Sequence, residues 1–337
     1  MIPHNQPTLG SEEEKAALDT IRSGWIAQGT QVEKFENDFC NYLDIPKGHA
    51  IAVSSGSAAL FLSLWVLNGQ KKTILYPSYV CSALRNAVMM VGGNEKLLDN
   101  ARNSPNINVN ELMENFFDIK IIPHMYGIPI DLSNIKPNNV IEDCCQALGA
   151  KVNKKFVGLQ GEIGFFSFHA TKLMTSGGQG GMIISKNQEL IESIKNFRDY
   201  GPQDKKFRFN FQMTDIQAAI GREQLKKLPY FLSSREKIFQ KYVDAGLELL
   251  NIPESSINKL KPVRFRAIMF TKQPNEIIEK LAKNDIRATV LINESGLLDN
   301  SSSFPNAINF SKNTISLPIY PTLSLENVEK IISLINN

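Results

Sequence analysis

A chain of 337 residues with 42% hydrophobic and 21% charged residues, and a formal net charge of +3, has the makings of a globular protein with a sizeable core. That balance excludes a disordered chain, and the absence of basic blocks argues against a nucleic-acid partner. Four cysteines without CxxC spacing exclude a zinc ribbon and a disulfide scaffold; they read as reduced thiols, which fits the cytoplasm, and no metal is expected.

The N-terminus, with Pro3, His4 and Asn5 followed by the acidic run Glu12–Glu14, lacks the pattern of a secretory leader. Short apolar runs rich in β-branched residues predict strands at Ala50–Val53, Thr73–Tyr76, Ile119–Pro123, Val140–Ile141, Ile163–Phe168 and Met182–Ser185. Helical-period segments at Ala58–Leu67 and Ser82–Val91 separate the early ones. The apolar stretch from Ile51 to Leu67 is broken by serines and Gly56, so it is no membrane span. Strands alternating with helices predict a mostly parallel sheet covered by helices. Beyond residue 212 the texture changes. Met213–Leu228 reads as an amphipathic helix, Pro229 as its stop or bend, and Ser234–Leu250 as a further helix. From Pro262 the pattern predicts a compact α+β unit, with strands at Ala267–Phe270 and Thr289–Ile292, a helix at Asn275–Asn284 and a terminal helix capped by Ser324. The expected organisation is a large α/β domain over residues 1–225 and a small C-terminal α+β domain over residues 226–337.

Four stretches at or after predicted strand ends carry chemistry. In Ser54-Ser55-Gly56-Ser57-Ala58 a strand turns into a helix, and unpaired first-turn amides beside a glycine suit a phosphate, although an ordinary helix cap uses the same residues. Glu142 and Asp143 end an apolar strand at the edge where parallel sheets bind ligands; Asp143 can hold a cationic ring nitrogen, or be a solvated strand end. Lys172 follows Ser167 by five residues and precedes apolar Leu173-Met174, a setting in which a lysine becomes a Schiff-base amine instead of a solvated surface group. The glycines of Thr175–Gly181 then allow tight turns.

In this order, and together with Ile21–Gly29, Pro77-Ser78-Tyr79, Pro123–Gly127, Phe209–Leu228 and Ser316–Pro321, the motifs resemble the DegT/DnrJ/StrS family of pyridoxal-phosphate sugar aminotransferases across nearly the whole chain. The resemblance implies a fold-type I architecture and pyridoxal 5'-phosphate as cofactor. It implies that Lys172 bonds covalently to the cofactor and that Asp143 pairs with its pyridine nitrogen. Gln146 lies beside the ring, while Gly56, Ser57, Ala58 and Ser167 hold the phosphate. Asn210 reaches the phosphate of a neighbouring subunit, which makes the protein a homodimer with shared sites. His169 and Trp25 are candidate substrate contacts, and His124 is structural. The substrates so implied are a nucleotide-linked keto sugar and an amino donor, L-glutamate, in amino-sugar biosynthesis for a surface polysaccharide such as lipopolysaccharide.

The chain also departs from the family pattern. Cys81 stands where many relatives stack an aromatic on the ring, leaving Tyr79 to take over. The loop after Lys172 is one residue longer, with Gln179 at a frequently acidic place, and the connection from Pro129 to Val140 is short. Leu291–Phe304 lacks the usual His/Tyr segment near the sugar. Two other readings weigh against the enzyme: a non-catalytic paralogue that binds sugar or cofactor, and a sugar dehydratase of the same fold, in which histidine replaces the lysine kept here at position 172.

Overall fold

A computed structural model of the chain describes residues 1–114, 117–200 and 208–336. The apolar runs form strands in the expected order: β1 (Ala50–Val53), β2 (Thr73–Pro77), β3 (Asn94–Leu98), β4 (Ile119–Pro123), β5 (Val140–Asp143), the two-residue β6 (Lys151–Val152) and β7 (Lys155–Phe156), β8 (Ile163–Ser167) and β9 (Gly181–Ile184). Seven of these make one sheet in the order β1-β9-β8-β5-β4-β2-β3. Its neighbours run parallel except β9, which is antiparallel to both β1 and β8. Helices cover the sheet, as expected. β1 and β9 are buried at every position, because a strand covered on both faces has no solvent side. β3 escapes the apolar pattern because it is an edge strand, with Asn94, Glu95 and Lys96 exposed.

Register decides where the chemistry collects. Val53, Gly181 and Ser167 lie side by side, and Asp143 pairs with Pro123 and Phe165. The carboxyl ends of β1, β8, β5 and β4 therefore share one edge, where open α/β sheets bind ligands. The helix Gly56–Val66, buried from Ala58 to Leu64, springs from that edge.

Two expectations in the second half are corrected. The helices expected on either side of Pro229 are one 30-residue helix, Asp215–Asp244. A proline inside a helix loses a hydrogen bond and crowds the preceding turn, at about 3 kcal/mol. Burial of Leu225, Leu228 and Phe231 around it outweighs that penalty. The strand expected at Thr289–Ile292 is reduced to a single bridge from Thr289 to Ser316. The chain then leaves through the turn Glu294–Gly296, whose cap is the Asn293 side chain. After β10 (Leu260–Lys261), which joins β6, the last third instead pairs β11 (Ala267–Phe270) with β12 (Thr314–Leu317). The terminal helix Leu325–Asn336 starts as expected, with Ser324 Oγ accepting from the Asn327 amide at 3.2 Å.

The expected division near residue 225 falls inside the long helix. We propose that this helix is the spine of both domains. Its second half supplies Ile238, Phe239 and Tyr242 to a separate apolar cluster with Met269, Ile315 and Val328, and Ile2 from the chain start joins them. Among the described residues no helix is long and apolar enough to cross a membrane.

Candidate active site

The turn after β1 shows how local sequence makes a cradle. Ser55 caps the helix, its Oγ accepting from the Ala58 amide at 3.1 Å, while its carbonyl accepts from Ala59 at 3.0 Å. Among the described residues nothing accepts from the amides of Gly56 and Ser57, so both remain available to an anion. A Cβ on Gly56 would stand 2.7 Å from Ser167 Cβ, and one on Gly181 2.4 Å from the Ser55 carbonyl. Glycine alone lets these strand ends close on one another, and Ser57 stays exposed beside them. The Ser54 amide donates to the Phe211 carbonyl at 2.8 Å, which ties the segment of Asn210 to this turn. Asn210 is itself exposed, its Oδ1 accepting from the Gln212 amide.

Asp143, half-buried at the end of β5, accepts from the Cys145 amide at 2.9 Å through Oδ1. Burial, then the Asp143 charge, raises the Cys145 thiol well above its ordinary value, and Lys172 works against that shift. Cys81 feels the same trio in the same order: burial and Asp143 push its thiol up, Lys172 pulls it down. Asp143 and Lys172 therefore share one neighbourhood, although the first ends β5 and the second lies in the turn after β8. Cys81, on the loop after β2, is the third member of this group. Tyr79 is not: it is buried, its hydroxyl 2.8 Å from the Tyr126 hydroxyl and its ring edge-on to Phe310.

Lys172 is half-buried in a turn closed by its own amide, which donates to the His169 carbonyl at 2.9 Å. Gly177 and Gly178 adopt positive φ and return the loop so that the Gly178 carbonyl accepts from Ala170. The Lys172 ammonium lies 5.5 Å from the centroid of the Phe265 ring. His169 bonds within its own turn, Nδ1 standing 2.9 Å from Thr171 Oγ1. Gln146 accepts from the Tyr126 amide at 2.8 Å and so fixes the chain beside Asp143. Trp25 is elsewhere: it is exposed, and its indole donates to the Gln28 carbonyl at 3.2 Å.

Two supports went unread in the sequence. Asp215, buried at the first turn of the long helix, accepts from the amides of Gly29, Gln31 and Val32 and so caps the helix Thr30–Leu43 from outside. Glu142 turns away from Asp143 into a buried cage, where it meets His124 Nε2 at 3.0 Å and the amides of Gly158, Gln160 and Gly161. Burial alone would raise its carboxyl, but His124 and these amides outweigh burial and hold it below its ordinary 4.5. Cys144 stands close to this pair, the three potential ligand atoms lying within 4.8 Å of one another. They do not read as a metal centre, because the Ile130 amide donates to His124 Nδ1 and Glu142 is already saturated. Glu142→Gln is expected to lower stability by about 3 kcal/mol or more in urea unfolding, since it breaks a buried pair. A depressed carboxyl contributes fully above its unfolded-state value, so the gap between wild type and variant should close as pH falls below about 4.5.

The model of the DegT/DnrJ/EryC1/StrS aminotransferase family matches residues 7–336. The chain belongs to this family. An uncharacterized protein of Methanocaldococcus jannaschii is 31% identical over 374 residues, covering 98% of this chain and 96% of that one. GDP-perosamine synthase of Vibrio cholerae is 26% identical, covering 100% and 99%. The aminotransferase TlmJ from Streptoalloteichus hindustanus has the same fold, with a TM-score of 0.89 at 24% identity and coverage of 99% and 98%. As a member of the DegT/DnrJ/EryC1/StrS family the chain is a pyridoxal-phosphate-dependent aminotransferase. The residues gathered at the sheet edge fit that cofactor: free amides and a glycine corner for a phosphate, a carboxylate for a ring nitrogen and an amine for a carbonyl.

Proposed function

We propose that this transaminase moves an amino group from L-glutamate to a nucleotide-linked keto sugar, in the cytoplasm, on the way to a surface polysaccharide. The observation that carries the reading is the convergence at the carboxyl edge of the sheet, where Asp143 ends β5 and the neighbouring β8 runs through Ser167 into the turn of Lys172, beside the unused amides of Gly56 and Ser57. The Vibrio cholerae relative, named for a GDP-linked product, supports a sugar carried on a nucleotide.

Bound pyridoxal phosphate supplies a sink for the electron pair left when a Cα–H bond breaks. In this reading Gly56 and Ser57 would hold the phosphate through their amides and Ser57 and Ser167 through their hydroxyls, whereas the Ala58 amide, expected there as well, is spent on Ser55 Oγ; the Asp143 carboxylate would keep a proton on the ring nitrogen. Lys172 Nζ would hold the cofactor's carbonyl carbon and, with the donor's amine taking its place there, would be free to accept the proton from the donor's Cα. Gln146 fixes the Tyr126 backbone on the side of Asp143 where the ring would lie, and Cys81 would line the same place without the stacking that an aromatic supplies. His169 remains a proposed substrate contact, and Trp25, which the fold keeps apart from Lys172 in its own chain, remains one only for the site of a neighbouring subunit. The family's shared-site homodimer, with Asn210 serving the neighbouring subunit, is supported by the exposure of Asn210 itself and of the large apolar residues Leu18, Ile21, Trp25, Ile26 and Phe209, which a second copy would cover.

Turnover with L-glutamate against a panel of nucleotide-linked 3-keto and 4-keto sugars tests the reading. Amination of one or more of them is expected; a cofactor-loaded protein inert to every pair would refute it.

A further inference from the structure

The wall that carries Phe265 has a second face. Phe265 meets the Lys172 ammonium, whereas Val263 and Arg264, just before it in the chain, line a groove of about 1330 Å³. The long helix divides likewise: Phe231 and Arg235 line the small cavity at Lys172, and Leu232, Glu236 and Lys237 line the groove. The groove is thus set apart from the sheet edge by this helix and the segment before β11.

Its charge is unlike that of the rest of the molecule. Six cations line it against the carboxylates of Glu236 and Glu254, a surplus of four, while the whole chain has a surplus of three. Arg264 is taken by Glu236, and Lys259 by Asp131. Lys151, Lys154, Lys237 and Lys261 pair with no carboxylate among the described residues. Surface lysines are ordinarily solvated singly, and two features set these apart. Lys151 and Lys261 lie directly opposite one another on β6 and β10, an arrangement of like charges that repels. Lys154 is the second residue of the two-residue turn between β6 and β7; Asn153 has φ 48° and Lys154 φ 67°, and such a turn ordinarily takes glycine at the lysine's place. Both features cost stability in the free protein, and an anion between the ammonium groups relieves the first. The floor beside them is aromatic. Phe156 is next to Lys151 in register, its ring centroid 4.1 Å from the ammonium and 5.2 Å from the ring of Tyr42.

We propose that this groove binds a diphosphate group, held by Lys151, Lys154, Lys237 and Lys261. Ammonium groups are compact point charges that suit the spread charge of phosphate oxygens; a carboxylate calls instead for an arginine fork, and Arg264 has already given its own to Glu236. Cross-strand neighbours about 5 Å apart let Lys151 and Lys261 share one diphosphate. The half-buried pair of Phe156 and Tyr42 offers a flat apolar face to the base of a nucleoside diphosphate. The proposal is independent of the donor and acceptor assigned to the sheet edge.

Calorimetric titration of cofactor-loaded protein with inorganic pyrophosphate tests it, the cofactor keeping the cradle at Gly56 and Ser57 filled. The double variant Lys151→Gln/Lys261→Gln should weaken binding about tenfold or more, and binding to wild type should fall as salt is raised. The control Lys280→Gln/Lys283→Gln removes the same charge elsewhere and should bind as wild type does. Should the groove variant not fold, Lys237→Gln, exposed on the long helix, carries the test. UDP and GDP titrated in parallel distinguish the sources. Binding tighter than that of pyrophosphate, lost in the groove variant and reduced by Phe156→Leu, assigns a nucleoside diphosphate; equal binding lost in the groove variant assigns free diphosphate. Pyrophosphate that fails to bind, binds wild type and groove variant equally, or is weakened as much by the control would overturn the proposal. Citrate bound as tightly, with the same loss, would overturn it in favour of a carboxylate site. A polyglutamate peptide that needs Lys151 and Lys261 where pyrophosphate does not would overturn it in favour of an acidic protein partner.

Discussion

Lys172→Ala is expected to lower transamination at least a thousandfold, by about 10³ or more, and to erase the visible absorbance of a lysine-bound cofactor. Two separate duties rest on this amine in the proposed reading, covalent attachment and transfer of the Cα proton, and alanine provides neither. The fold should survive. Lys172 forms no ion pair among the described residues, and the turn around it is closed by main-chain bonds from His169 and Gly178. Absorbance spectroscopy of the purified variant with added pyridoxal phosphate separates the two duties: phosphate contacts at Gly56 and Ser57 should still bind the cofactor, without the lysine-bound band. A variant that keeps the band would place the amine elsewhere.

Asp143→Asn should lower the rate of the first half-reaction by roughly a hundred- to a thousandfold while leaving the protein folded. The amide replacement keeps an oxygen for the Cys145 amide, which Asp143 accepts at 2.9 Å, so the strand end is preserved. What disappears is the negative charge opposite the ring nitrogen, and with it the means of holding a proton there as electrons arrive. Single-turnover mixing with L-glutamate reads this directly. Thermal melting of the same variant checks that the loss is chemical: the Tm should shift by no more than a few degrees. The Glu142→Gln variant is its counterpart, with stability lost through the buried cage one residue away.

These contrasts show what the sequence could express. Strands β1, β8 and β9 were legible because burial on both faces leaves an uninterrupted apolar run, and the strand-end residues Asp143 and Ser167 could be placed by counting from those runs. β3 was hidden by its edge position, which lets charged residues occupy it. The long helix was misread at Pro229, since local propensity speaks there without the packing of Leu228 and Phe231 that overrules it. Asp215 gave no sign of its role, because the amides it caps lie 186, 184 and 183 positions away. The lysine groove was silent for a related reason: that Lys151 and Lys261 stand opposite one another is a property of strand register, not of the residues beside either. Tyr79 and Cys81, two positions apart on one loop, were both assigned to the ring on sequence; the structure turns the tyrosine to Tyr126 and Phe310 and leaves the cysteine with Asp143 and Lys172.

Ile2 bridges to Ile286 and packs in the cluster that the last third of the chain builds. The first few residues are thus a stitch across the molecule, made only after everything between them has been synthesised. Residues 226–337 produced as a stand-alone fragment would lack this stitch and the first half of their own spine. An affinity tag is better carried at the other terminus, where it leaves the seam undisturbed.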